Sequence, residues 1–304
     1  MRIIPATSNQ KRPQSLLDSA GRFFAARLGK RAARWLDGFP KADAPSFLAF
    51  EGEVPVGFVS AVPLAAGQQI AFLYLDGAAN TAANALLLLE ALNDKGDFLL
   101  LDPQRLSVPE QEFAPQLTKS GWEAFHRQRL RLNIEGRPSA EPASGELTPR
   151  QVEQGDLPAL AFLQSTAYHG SDDALVYPHL AHPGLSQQML EQWLRGYFGK
   201  PLRQASLLTT VPGSGVGGFV LSSMIAKKTA LIVTLAVSPR HRGQGLARRL
   251  MNRAITTCLA EGYSTVELFV SSNNHAALGL YESLGFKHLS EDAVYRRELT
   301  QVES

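Results

Sequence analysis

The chain has a single cysteine, Cys258, in 304 residues. That count excludes a disulfide framework and any thiolate zinc cluster within the chain. Cys258 stands at helical spacing from Leu250, Ala254 and Ile255, which predicts a small buried core thiol. Long apolar runs are also missing; the densest, Ala85 to Leu92, is far shorter than a membrane span. The opening MRIIPATSNQKRPQ holds no apolar stretch of signal-peptide length. These two absences lead to the expectation of a soluble, cytoplasmic protein with no membrane partner. Charge of one sign is scarce, 30 Lys and Arg against 28 Asp and Glu for a net +2, which is too little to imply a nucleic-acid surface. Arg240, His241, Arg242, Arg248, Arg249 and Arg253 do cluster, but they read as loop positives and the solvated face of a helix, so no nucleic-acid partner is expected. His169, His179 and His182 lack metal-ligand spacing. They read as ordinary polar loop residues, and no metal is expected.

What is present is the composition of a globular protein, 44% hydrophobic and 19% charged. Its length suits two domains. The stretch EGRPSAEPASG, Glu135 to Gly145, has no hydrophobic periodicity and reads as a linker. The expected division is a first domain over 1–135, a linker over 136–146 and a second domain over 147–304. In the second half the pattern predicts helices over 156–168 and 185–198, with Asp156 as N-cap and Pro158 in the first turn. Strands follow over 205–211, 217–225 and 231–237. A helix over 245–261 ends at the C-cap glycine Gly262. Then come a strand over 265–270, a helix over 276–284 and a strand over 293–299. The first half repeats this order: strands 47–51, 55–62 and 70–75, helix 80–93, strand 98–101, helix 110–120 and strand 125–132. Gly57-Phe58-Val59 aligns with Gly218-Phe219-Val220, and Gly121-Trp122 with Gly285-Phe286. The simplest account is an internal duplication. The fold class is therefore α/β, with two tandem domains that each hold a mixed central sheet flanked by helices.

The strongest chemical signal is VSPRHRGQGLA, Val237 to Ala247, between a strand and a helix. Gly243 and Gly245 permit a tight turn and close approach of a ligand to the backbone. The helix that follows opens with amides lacking internal partners, so its N-terminus makes a diphosphate site. A second glycine-rich run, Gly213-Ser-Gly215-Val-Gly217-Gly218, fits the dinucleotide pattern but leads into a strand. It reads as a hairpin turn, since the dinucleotide pattern works only between a strand and a helix.

Arg242-x-x-Gly245-x-Ala247 resembles the signature of the GNAT superfamily of N-acetyltransferases, and so does NHAALGLYESLGF, Asn274 to Phe286. The resemblance implies a coenzyme A pyrophosphate held by Arg242, Gly243, Gln244, Gly245, Leu246, Ala247 and Arg248. It implies that Leu235, Ala236 and Val237 pair with the pantetheine arm, that Asn274 contacts that arm, and that Tyr281 lies near the sulfur. It also implies an N-acetyltransferase that uses acetyl-CoA as cosubstrate and takes an amine-bearing acceptor, a small molecule or a peptide. A tyrosine beside a departing thiolate is suited to general-acid work. The other readings are a helix-capping glycine turn and a core aromatic.

Attack by an amine requires a proton acceptor. Some members of the superfamily carry a Glu early in the fourth strand, where this sequence has Leu231, and no acid lies between Leu231 and Val237. Glu267 is the candidate base, on the next strand. It alternates opposite Val266, Leu268 and Val270, and its other reading is a solvated or salt-bridged strand residue. Asp172 and Asp173 are candidates for a cationic acceptor or an ordinary loop. The first half reads Asn80-Thr-Ala-Ala-Asn-Ala85 at the phosphate-loop position and Leu117 at the tyrosine position. A degenerate repeat is expected there. The rival readings are a non-catalytic acyl-CoA sensor and a nucleic-acid module on the Arg248-Arg249 helix.

Overall fold

The computed structural model describes residues 1–7, 12–29, 36–37, 39–40, 44–64, 67–93, 97–137 and 148–299. The chain forms two compact units, Met1–Phe125 with Ala293–Ser304, and His126–Asp292.

In the first unit five strands lie in chain order: β1 (Arg2–Pro5), β2 (Ser46–Glu51), β3 (Val54–Pro63), β4 (Gln68–Leu75) and β5 (Phe98–Leu101). The sheet is completed by the last strand of the chain, with Tyr295 opposite Leu101 and Glu298 opposite Phe98. Alternation sorts the side chains of β3 and β4 to two faces. Val59 and Leu73 pack with Leu88 of α2 (Ala82–Glu90) and Phe113 of α3 (Glu110–Lys119), while Phe58 and Tyr74 pack with Phe24 of α1 (Gln14–Leu28). Of these elements, β1 and α1 fall in a stretch where the sequence reading placed none.

The second unit begins within β6 (Glu123–Asn133) and contains β7 (Arg150–Gln151), β8 (Lys200–Pro201), β9 (Leu207–Val211), β10 (Gly215–Ala226), β11 (Thr229–Val237) and β12 (Thr265–Ser271). Its spatial order is β6-β12-β11-β10-β9-β7, with β8 also on β10. One face of the sheet carries α4 (Leu157–Tyr168) and α6 (Pro183–Leu194), with Leu160, Trp193 and Phe219 in their core. The other carries α7 (Leu246–Ala260) and α8 (His275–Ser283), with Leu250, Cys258 and Val220. A short α5 (Asp172–Val176) and the closing β13 (Lys287–Glu298) complete the element order. Burial pushes the Cys258 thiol up to about 12, as befits a core residue. Gly213 and Gly215, at φ +72° and +75°, form the turn between β9 and β10. That run is a hairpin, and no helix follows it.

The order strand-strand-strand-helix-strand-helix-strand holds in both halves, as β2 to β6 and as β9 to β13. The last strand of each half nevertheless completes the other half's unit. His126 to Asn133 belongs to the second unit, paired antiparallel with β12 from Arg127↔Ser271 to Asn133↔Thr265. Ala293 to Glu298 belongs to the first unit. The expected division at 135 and 147 follows the chain, and the compact units differ from it by these two strands. Positions 138–146 of the expected linker lie outside the described residues. Alternation along a strand shows which face is buried but not which strand lies beside it, so nothing local in the sequence signals the exchange.

Candidate active site

A bulge in β11 opens the site. Leu221 of β10 pairs with Thr234 and Ser222 with Ile232, leaving Val233 as the extra residue. Before the bulge, Ala230 and Ile232 face α7 and α8. After it Ala236 faces α4, and Thr234 donates to Gln164 Oε1 of α4 at 3.2 Å. Such an insertion kinks the strand and raises its twist. Parallel pairing with β12 covers only Thr229 to Ile232 against Thr265 to Leu268. Beyond that point the two strands are unpaired with each other, and a cleft of about 1020 Å³ lies along them.

At one end of the cleft β11 passes through a tight turn at Pro239–His241 into Gly243 and Gly245, at φ +74° and +76°. No Cβ is tolerated easily at such angles, yet the space beside Gly243 is open to 4 Å. Gly245 is the N-cap of α7 and supplies no side-chain cap. The first ladder bond runs from Arg249 N to Gly245 O at 3.0 Å, so the amides of Leu246, Ala247 and Arg248 have no intrahelical acceptor. The positive helix end and these free donors form an anion site. The surrounding side chains brace the loop: Arg242 donates to Ala167 O at 2.7 Å, Arg248 to Ser283 Oγ at 2.7 Å, Gln244 to Arg240 O at 3.4 Å and Arg249 to Gln244 O at 3.1 Å.

The middle of the cleft holds two tyrosines. Tyr168, at the end of α4, donates its hydroxyl to Leu235 O at 3.1 Å. Tyr281 stands seven residues beyond Asn274, whose Oδ1 caps α8 by accepting from Ala277 N at 3.1 Å. The Tyr281 ring packs on Phe286 at 5.7 Å. Its hydroxyl has no hydrogen-bond partner among the described residues, and burial, with Tyr168 and Asp173 nearby, pushes its pKa well above the usual phenol range. It therefore stays protonated throughout the neutral range, poised to donate. Gly285, at φ +89°, turns the chain from α8 to Phe286, and a Cβ there would meet Arg137 Nη2 at 2.7 Å.

The far end is charged with both signs. Asp173 of α5 is buried and accepts from Ser271 Oγ at 2.7 Å. Arg127 of β6 points its Nε toward Asp173 Oδ1 at 3.6 Å, too long for a hydrogen bond. Its Nη1 donates to Tyr177 Oη at 2.9 Å, and the guanidinium lies 4.7 Å from the Tyr177 ring centroid. His179 completes this wall. Burial, and secondarily the Arg127 charge, lower its pKa to about 4.

Of the positions singled out in the sequence, Leu235–Val237, Arg242, Gly243, Gly245–Arg248, Asn274 and Tyr281 line this one cleft, together with Asp172 and Asp173. Gln244 and Glu267 do not. Glu267 is 1% exposed, and both its oxygens are taken: Oε2 by Arg129 at 2.9 and 2.5 Å, Oε1 by Arg131 at 2.7 Å. It sits opposite Arg131 in the β6–β12 register, as the salt-bridged strand residue that was its other reading. Arg127, Tyr177 and His179 were missed as site residues. Arg127 belongs to a strand that the sequence assigns to the first half, and His179 has no local pattern. Among the described residues no group of three His, Cys, Asp or Glu comes together to hold a metal ion, and no helix is long and apolar enough to cross a membrane.

Residues 186–286 match the Acetyltransferase (GNAT) family. The chain is 37% identical over 119 residues to a mycothiol acetyltransferase of Beutenbergia cavernae, covering 38% of this chain and 39% of the relative. It is 30% identical over 99 residues to the N-acetylaspartate synthetase of Rattus norvegicus, covering 33% of each. Among solved structures, a GCN5-related N-acetyltransferase from Sphaerobacter thermophilus superposes with a TM-score of 0.63 at 14% identity, over 98% of this chain and 96% of that one. A tandem GNAT protein from the clavulanic acid biosynthesis pathway gives 0.58 at 12%, over 99% of both. At such identities the likeness is one of fold.

Proposed function

We propose that the chain transfers an acetyl group from acetyl-CoA to a primary amine by direct attack, a reading supported by the match of residues 186–286 to the Acetyltransferase (GNAT) family. The observation that carries this reading is the meeting, in one cleft, of the uncapped amides after Gly245, the edge of β11 that β12 no longer pairs beyond Ile232 and the Tyr281 hydroxyl. The residues fit the coenzyme on structural grounds. Two left-handed glycines leave the loop backbone bare, and His241 lines the cleft beside them. The amides of Leu246 to Arg248 hold the diphosphate, and Leu235 to Val237 with Asn274 hold the pantetheine arm. The cosubstrate supplies an activated acetyl thioester.

The chain's own groups handle the protons. Tyr281 donates to the departing thiolate sulfur, since burial keeps its hydroxyl protonated. Glu267 lies outside the cleft lining with both oxygens held by Arg129 and Arg131, so it serves as a brace between β12 and β6. Asp173, buried in the same cleft, takes the proton from the amine. The amine nitrogen bonds the acetyl carbon as the carbon–sulfur bond breaks. Two protons leave the ammonium and one ends on the thiol, so one is released to solvent per turnover. The first half of the chain is a degenerate repeat whose last strand, β6, belongs to the second unit and which holds no coenzyme site.

The test is thiol release from acetyl-CoA against a panel of amines, with acetyl-CoA affinity measured beside it. This reading expects turnover by the wild type, and a Tyr281→Phe variant that keeps affinity and loses turnover. Binding with no thiol release in either protein would identify an acyl-CoA sensor, and salt-steep binding of DNA or RNA uncompeted by coenzyme A would identify a nucleic-acid module.

A further inference from the structure

The far end of the cleft pairs a buried anion with an incompletely satisfied cation. Of the Arg127 donors, only Nη1 has a hydrogen-bond acceptor, the Tyr177 hydroxyl. Its Nε is buried without an acceptor, and its Nη2 has none among the described residues. An unmet guanidinium donor in a desolvated wall is costly unless a ligand meets it. Arg127 is held for that purpose: the Tyr177 ring supports its plane, and Phe269 lies 5.9 Å away. Asp173 beside it is fixed by Ser271. The neighbouring His179 is neutral above pH about 4, so it neither competes for an anion nor repels a cation. Asp172 is occupied by Asn273. One cation and one anion, 3.6 Å apart at their nearest atoms, match a ligand bearing both charged groups on one carbon.

Resting on the acetyl-transfer reading above, we infer that the acceptor is a free amino acid, whose carboxylate is bound by Arg127 while Asp173 receives its ammonium group. Nη2 is the donor left for the carboxylate, while Nε, buried beside Asp173, keeps the guanidinium oriented. Tyr177 and His179 then serve as positioning residues that hold the fork in place. Asp173 and Tyr281 line the same cleft, so an amine held at Asp173 shares it with the thiolate acid.

The experiment measures thiol release from acetyl-CoA with the twenty L-amino acids, the corresponding amino-acid amides and the decarboxylated amines. Wild type, Arg127→Met and Arg127→Lys are compared, and folding of each variant is checked by its retained acetyl-CoA affinity. The expected result is that kcat/KM for the best amino acid exceeds that for its amide by roughly ten- to a hundredfold, as loss of a charge-assisted contact implies. That ratio falls toward one in Arg127→Met and is only partly restored in Arg127→Lys, with the change in KM. Amides and amines used as well as the free acids by the wild type would overturn the inference without touching acetyl transfer itself, and needs no variant to fold. A free-acid preference that persists in Arg127→Met would also overturn it. Thiol release with none of the acceptors would overturn both readings.

Discussion

The two units solve the same structural problem in opposite ways. In each, a parallel pair of strands diverges after a short shared register: Gln68 and Gln69 with Leu99 and Leu100 in the first unit, Thr229 to Ile232 with Thr265 to Leu268 in the second. In the first unit the gap is filled by the chain itself. The connection after β5, Asp102 to Pro109, folds back so that Leu106 bridges Leu73, Ser107 N donates to Leu73 O at 3.0 Å and Leu75 N donates to Ser107 Oγ at 2.8 Å. Asn80 locks the plug from the loop side, accepting from Ser107 Oγ at 2.9 Å, and Thr81 caps α2 by accepting from Asn84 N at 3.2 Å. In the second unit the connection after β12 is only Ser272 to Asn274, the glycines leave α7 uncapped, and the gap stays open. A helix end capped by its own side chain has one donor fewer for a phosphate, and the capping side chain stands where the phosphate would sit. The open and the filled gap differ by one capping residue, one loop length and two glycines.

The sharpest break between the units should come at the tyrosine position. Tyr281→Phe is expected to lower kcat by roughly a hundred- to ten-thousandfold with acetyl-CoA affinity unchanged, whereas Leu117→Tyr in the first unit should create no turnover. Single-turnover kinetics with calorimetry checks both.

An open cleft also leaves ionisable groups desolvated, which a plugged one avoids. His179 binds its proton less tightly folded than unfolded, so its contribution to stability is fully present above pH 6.5 and is lost as pH falls toward about 4. Denaturant melts between pH 7 and 4 should show a loss on the order of 3 kcal/mol, and His179→Gln should flatten that slope.

A smaller effect separates the two central strands. β5 is leucine-rich and buried, while β12 carries Glu267 between Arg129 and Arg131. Glu267→Gln should cost about 1.5–3 kcal/mol of stability and leave the shape of the pH–rate profile unchanged. A lost or shifted acidic limb would restore Glu267 as the base.

The smallest pair concerns the helix starts. Gly245→Val forces a β-branched residue to positive φ at about 1–2 kcal/mol and should weaken acetyl-CoA binding by roughly tenfold or more. Thr81→Ala should cost about 1 kcal/mol of stability and leave coenzyme binding untouched.

Much of this was legible in the sequence, for reasons that are local. The glycines of VSPRHRGQGLA and the Asn274-to-Tyr281 spacing lie within single elements, and a loop, a cap or a helix face is set by neighbours a few residues away. The hairpin at Gly213 and the buried Cys258 follow the same logic. The rest depends on contacts distant in the chain. Arg127 reaches the cleft because β6 pairs with β12, more than a hundred residues later, and the same exchange turns Glu267 from an apparent candidate base into an ion-paired brace. The plug at Ser107 was hidden too, although the longer connection from Asp102 to Pro109 is visible in the sequence once the halves are aligned.

The stoichiometry of acetyl-CoA binding by titration calorimetry on the full chain tests the account most directly. One site per chain, weakened by Gly245→Val and indifferent to Thr81→Ala, is the predicted result; two sites, or a single site that survives Gly245→Val and is lost with Thr81→Ala, would contradict it.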